Sequence, residues 1–214
     1  MSPDERYDVS GLSEAQFEPG SDGQVLKNLL GITSAAEMDV AEANALVVAV
    51  DYLVRMYDEE YRFTANDICE FHRVWLKGIY AWAGEYRQVN VSKGDFMFAA
   101  AGRVPALMAE YERDVLPRCT PCKFATREDV VRALAEAHVE LVLIHPFREG
   151  NGRVSRVLST LMALQAGLPL LDFSLIAGDG KEGYFAAVRA GLDRNYRPME
   201  RIFAEVIERS VAES

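Results

Sequence analysis

The chain has 214 residues, half of them apolar, and a formal net charge of −10. That composition supports one sizeable core without demanding two domains, and it leaves disorder for the ends. The acidic balance excludes a general nucleic-acid binder, which needs a basic stripe, and no run of about eighteen apolar residues offers a membrane span.

Residues 1–24 are polar and turn-rich, with Pro19-Gly20-Ser21-Asp22-Gly23, and are expected to form an arm ahead of one domain over 25–214. The start lacks the apolar stretch of a secretory signal, which points to the cytoplasm. Leu26–Ile32 is predicted as a short helix. Glu37–Tyr57 is predicted as a longer one, with Ala43, Leu46, Val47, Val50, Leu53 and Val54 on its apolar side. Thr64 and Asp67 make a capping box for a helix ending near Trp82–Gly84. Val89, Val91, Phe96 and Phe98 then alternate around Lys93-Gly94, a hairpin pattern. Core packing is as good an account of Phe96 and Phe98 as a role in recognition.

A further helix spans about Val104–Val115. Cys119-Thr120-Pro121-Cys122 is a C-x-x-C unit, but there is no second pair and no βαβ pattern around it, so it is expected to be a plain interhelical loop. Thr126 and Asp129 cap a helix with Val131, Leu134, Ala135, His138, Val139 and Val142 at apolar spacing. The next helix carries Val154, Val157, Leu158, Leu161, Met162 and Leu164, and stops at Gly167. Tyr184-Phe185-Ala186-Ala187 begins another after the Gly178-Asp179-Gly180 turn, and Pro198 opens the last, to about Val211. Seven or eight helices and one hairpin make an all-α fold.

The most informative stretch is His145-Pro146-Phe147-Arg148-Glu149-Gly150-Asn151-Gly152-Arg153-Val154-Ser155-Arg156. Pro146 disfavours α geometry at His145, so His145 projects from a helix end. Gly150 and Gly152 can reach positive φ and let main-chain N–H groups converge on an anion at the start of the next helix. Arg153 and Arg156, three apart, share one face of its first turn and can clamp phosphate. His145 can accept a proton near neutral pH, and Glu149 is a hard oxygen ligand suited to Mg²⁺. Asn151 can help hold a phosphate. Singly, each has a plain account as a helix-end histidine, a turn or solvated arginines; jointly they suit attack of a hydroxyl on a nucleotide phosphate.

This stretch resembles the signature of Fic-domain proteins, His-Pro-Phe-x-(Asp/Glu)-Gly-Asn-Gly-Arg-x-x-Arg, with every fixed position filled. The resemblance extends more loosely over about 51–206 and includes Phe71–Leu76, Ile79–Arg87 and Val91–Phe98. It implies an all-α bundle with one small β-hairpin flap, and transfer of AMP from ATP to a Ser, Thr or Tyr hydroxyl of a target protein. It also implies His145 as base, Glu149 as the Mg²⁺ ligand, Asn151 at the α-phosphate, Arg153 and Arg156 at the β- and γ-phosphates, and Phe147 as a buried anchor. The flap, about Val89–Phe98, would pair with the target by strand addition and bring Lys93 and Gly94 to the nucleotide. Tyr184 would sit beside the adenine or serve in packing. Leu192 stands where some members carry an asparagine.

Many members are inhibited by a helix of pattern (Ser/Thr)-x-x-x-Glu-(Gly/Asn), whose glutamate pairs with the second arginine, here Arg156. Thr33-Ser34-Ala35-Ala36-Glu37-Met38 meets all but the last position, and helix capping accounts for it equally. A separate antitoxin supplying that glutamate is therefore expected, or none. The alternatives to AMP transfer are a related enzyme with another nucleotide or phosphate donor, which the retained Gly152 disfavours, and a non-catalytic helical binding module.

Overall fold

A computed structural model describes residues 11–213; the first ten residues of the expected arm and Ser214 lie outside the described residues. Among the described residues the helices are α1 (Ala35–Met56), α2 (Ala65–Leu76), α3 (Val104–Asp114), a single turn α4 (Leu116–Cys119), α5 (Arg127–Ile144), α6 (Asn151–Gln165), α7 (Lys181–Ala190) and α8 (Arg197–Ala212). Strands β1 (Ser92–Lys93) and β2 (Phe96–Met97) pair antiparallel, Ser92 opposite Met97 and Lys93 opposite Phe96. The fold is all-α with one hairpin, as the sequence predicts.

Local chemistry sets most of the boundaries. The Ser34 side chain accepts the Glu37 N–H at the start of α1, Thr64 and Asp67 form a reciprocal capping box on α2, and Thr126 accepts from Asp129 on α5. The hairpin closes through Gly94-Asp95, with Gly94 at φ 60°, a conformation glycine adopts without a Cβ penalty. Helix α5 is buried on nearly all sides, including Leu134, Ala135, Ala137 and Val139, so it is the central helix. It packs against α6, α8, α3, α4 and α7. The α5–α6 junction, which carries the signature, is thereby clamped by the core on both sides.

Two predicted helices differ. Leu26–Ile32 is not helical: Leu26 bridges to Phe17, and the Asn28 side chain accepts the N–H groups of Leu30 and Ile32. A side chain that takes these donors offers the backbone an alternative to the helix. Helix α2 stops at Leu76 and not near Gly84, because the chain doubles back on it. Gly84 sits at φ 84° with its N–H donated to His72 Nδ1 at 2.7 Å, and a Cβ there would lie 2.8 Å from the Arg73 side chain. The described part of the arm lies on the domain, with buried Glu14 accepting the Gln88 N–H.

Candidate active site

The α5–α6 loop is built as a rigid arch. His145 ends α5 in the left-handed region, φ 53°, which is uncommon for a residue with a side chain. Its Nδ1 lies 3.1 Å from the Val142 carbonyl. A carbonyl can only accept, so Nδ1 carries the proton and Nε2 keeps a lone pair. Burial, the main cause, pushes the ring down to about 4, so it is neutral at physiological pH. The Phe98 ring stacks on it at 3.6 Å between centroids. Arg87, 2 % exposed, donates to the carbonyls of His145, Val89 and Ala99, and so ties the base of the hairpin to the α5–α6 loop.

Phe147 is fully buried, as expected, and stacks on His72 at 4.0 Å. His72 accepts the Gly84 N–H at Nδ1, so Nε2 is its donor, 3.2 Å from the Glu149 carbonyl. Asn151 is buried, and its amide brackets Phe147, accepting its N–H and donating to its carbonyl, both at 2.8 Å. Its side chain braces the arch and does not line the cleft, which leaves its main chain at the helix start. Gly150 sits at φ 82°, and a Cβ would lie 2.6 Å from the Trp75 ring. The arch thus presents the first turn of α6 to open space.

That space is a cleft of about 480 Å³ bordered by Lys93, Glu149, Gly150, Gly152, Arg153, Arg156, Lys181, Tyr184 and Phe185. An apolar cavity of about 110 Å³ adjoins it, where Phe96, Phe98, His145, Val142, Tyr184 and Val188 meet. Phe96 and Phe98 stand edge to face at 5.1 Å and wall this cavity. The Tyr184 hydroxyl is held 2.8 Å from Nε2 of buried His138, so the ring is fixed at the boundary of the two spaces. Gly94 stays at the hairpin tip, outside both linings, and Arg148 turns away, its Nε donating to the Glu14 carbonyl. Another hollow, about 390 Å³, is bordered by Glu110, Asp114, Glu136 and Glu140 against Arg118 and Arg194, an acidic excess that makes it a poorer setting for phosphate.

Cations converge on the cleft. Lys93 Nζ lies 4.1 Å from the Phe185 ring centre, and burial, then Lys181, lower its pKa. Arg156 is depressed by burial, yet a guanidinium stays charged. Arg153 is shared between two carboxylates, Glu42 at 2.6 Å and Glu149 at 3.3 Å. Glu149 is the one acidic side chain in the described lining, and among the described residues no three of His, Cys, Asp and Glu converge. A metal here would take one carboxylate and complete its shell from phosphate and water, which fits Mg²⁺ and does not fit a structural zinc cage. Cys119 and Cys122 are buried free thiols, both pushed up to about 12 chiefly by burial, so the C-x-x-C unit, which begins at the last residue of α4 and runs into the loop before α5, is inert.

Sequence reading missed Lys181, Arg87 and Glu42. Lys181 follows a glycine turn at a helix start, and Glu42 stands on an otherwise apolar stripe with Met38, Ala49 and Leu53, so both carried a local signal. Arg87 carried none.

An all-α bundle whose central helix pair turns through a histidine arch into an anion-attracting helix start, beneath a β-hairpin, defines the class. Residues 62–163 match the model of the Fic/DOC family. It is 26% identical over 206 residues to the protein adenylyltransferase Fic of Drosophila ananassae, covering 96% of this chain and 40% of that protein. The chain thus spans about two-fifths of the length of this curated relative. Its fold is similar to the BepC protein of Bartonella tribocorum, crystallised with AMPPNP, at TM-score 0.71, 20% identity and coverage of 91% and 96%. It is also similar to a Fic domain of Bartonella quintana with bound ADP, at TM-score 0.71, 22% identity and coverage of 91% and 94%.

Proposed function

We propose that this protein is a protein adenylyltransferase, moving AMP from ATP to a Ser, Thr or Tyr hydroxyl of a target protein. The observation that carries the reading is His145, neutral with Nδ1 spent on Val142, beside a cleft where Lys93, Arg156, Lys181 and the start of α6 meet. Its curated relatives bear that activity in their names over most of this chain's length. In this reading the target oxygen attacks the α-phosphorus and its proton passes to Nε2 of His145. The bond from that phosphorus to the oxygen bridging the β-phosphate breaks, and pyrophosphate leaves.

The main chain of Gly150, Asn151 and Gly152 holds the α-phosphate at the positive end of α6. Arg156 and Lys181 take the terminal phosphates, Arg153 flanks them from its carboxylate bridge, and Tyr184 borders the base. Mg²⁺ on Glu149 would supply neutralisation across the phosphates. The flap, about Val89–Phe98, offers an unpaired edge to an extended segment of the target, and a glutamate from a separate antitoxin would compete at Arg156. The described residues contain no helix long and apolar enough to cross a membrane, and the three free cysteines suit a reducing cytoplasm, where we place the reaction.

Lysate is incubated with the chain and ATP labelled on its α- or γ-phosphate, with GTP, UTP and CTP in parallel. Transfer of the α-label alone, with an AMP-sized mass gain on a hydroxyl residue, is the expected result. Transfer of the γ-label would indicate a kinase, another nucleotide would redefine the donor, and binding without transfer would make the chain a binding module.

A further inference from the structure

Glu42 is a buried charge that the proposed reaction leaves unused. It lies in α1 and is 3% exposed. A carboxylate there is costly unless partnered. Its partners are Arg153 Nη1 at 2.6 Å and the Tyr80 hydroxyl, which donates to Oε1 at 2.7 Å. Its main-chain carbonyl also accepts the Trp75 indole N–H at 2.8 Å. The Arg153 guanidinium is laid over the Trp75 ring, 4.5 Å from its centre. Its other terminal nitrogen, Nη2, is 3.3 Å from Glu149 Oε1. One guanidinium therefore faces two carboxylates, closely the buried one and loosely the one at the cleft, whose side chain is 47% exposed.

We propose that Glu42 is a positioning residue for the metal and phosphate site: by holding Arg153, it keeps that cation from closing on Glu149 and leaves the Glu149 carboxylate open to the divalent cation that accompanies the nucleotide. The inference rests on the reading of the cleft as an ATP and Mg²⁺ site. Two carboxylates compete for one cation, and the buried one wins because Coulomb attraction is stronger away from water. Without the charge of Glu42, the carboxylate left within reach of Arg153 is Glu149. The guanidinium then competes with the metal for the same oxygens and adds an unbalanced positive charge beside it. Both effects weaken the metal. Neither weakens phosphate binding without metal, since an unpaired arginine attracts phosphate. A merely structural role predicts the opposite pattern, an equal loss in both conditions.

The test measures ATP affinity of the full chain by calorimetry, in EDTA and in saturating Mg²⁺, for wild type, Glu42→Gln, and Glu42→Gln combined with Arg153→Gln. Glu42→Gln keeps the side-chain volume and an acceptor for Tyr80, but sets an amide against Arg153. Wild type should bind ATP more tightly with Mg²⁺. Glu42→Gln should lose about 10–100-fold of that Mg²⁺ advantage, the range seen when the surroundings of a metal ligand are disturbed, with EDTA affinity unchanged or tighter. The double variant, with the intruding cation gone, should regain the advantage to near the wild-type value. An equal loss in both conditions, an unchanged advantage, or a double variant as poor as Glu42→Gln overturns the inference while leaving the proposed function standing. A wild type that binds no ATP in either condition overturns both. Should Glu42→Gln not fold by circular dichroism, Glu42→Asp, which retracts the carboxylate by one methylene, takes its place, and an unchanged advantage in it overturns the inference.

Discussion

Lowering the pH from 8 to 5 is expected to destabilise the folded chain by about 6 kcal/mol, through its histidines alone. All three histidines of the sequence are packed into the structure as neutral rings. Burial is the main cause in each, lowering His72 and His138 to about 3 and His145 to about 4, from an ordinary 6.5. In the unfolded chain the same rings protonate near the ordinary value. Between the two values the unfolded chain binds more protons, so stability is full above pH 6.5 and falls as the pH drops toward 4 and 3. At pH 5 each ring accounts for about 2 kcal/mol, against a typical total of about 5–15 kcal/mol. With roughly 2–4 °C per kcal/mol for a chain of this size, Tm should fall by about 10–25 °C. Thermal unfolding by circular dichroism at pH 8, 6.5 and 5, at constant ionic strength, measures this. A midpoint that is flat across the three buffers would refute the neutral packing of these rings. The same shift makes His145 a usable base down to the lower value, so transfer by the protein that remains folded should show no limb near pH 6.5.

His145→Ala should lower AMP transfer by about 10²–10⁴-fold, with ATP binding by calorimetry largely intact, and a wild-type labelling rate in the variant would remove the base assignment. Gly150→Ala combines a left-handed backbone with a Cβ 2.6 Å from the Trp75 ring, and should cost about 2–5 kcal/mol in urea unfolding; a loss under 1 kcal/mol would mean that the arch gives way easily. Lys181→Ala should weaken ATP binding by about fivefold at low salt and less at high salt, whereas Glu182→Ala should not weaken it; equal behaviour of the two would take Lys181 out of the site. Glu37→Gly should not raise auto-labelling, because Glu37 is exposed in the first turn of α1 and its N–H is capped by Ser34; a large gain would establish internal inhibition through that residue.

Much of this protein was legible in the sequence because the chemistry concerned is local. Helix periods and caps act within a few residues, so α1, α3, α5, α6, α7 and α8 fall close to their predicted bounds. The arch from His145 to Arg156 is contiguous, and Pro146 and Gly150 favour its turn locally, whereas Gly152, expected to reach positive φ, lies within the first turn of α6. The errors arose where a local preference met a distant partner. Leu26–Ile32 has helical composition, but Asn28 and the bridge to Phe17 take its hydrogen bonds. The helix after Thr64 stops early because Gly84 must pass within contact of Arg73 and reach His72.

Sequence by itself determined the helical class, the hairpin, the place of His145 at the end of α5 and the anion-attracting start of α6. The tertiary structure alone decided which charges face one another. Arg148 and Arg153 both belong to the arch, yet one turns to the Glu14 carbonyl and the other is held by Glu42. Asn151 is spent on Phe147, while Lys181 arrives at the cleft from another helix. The reason is physical: a backbone conformation is set by neighbours along the chain, whereas the energy of a charge depends on its burial and on partners that only the packed core brings within a few ångströms.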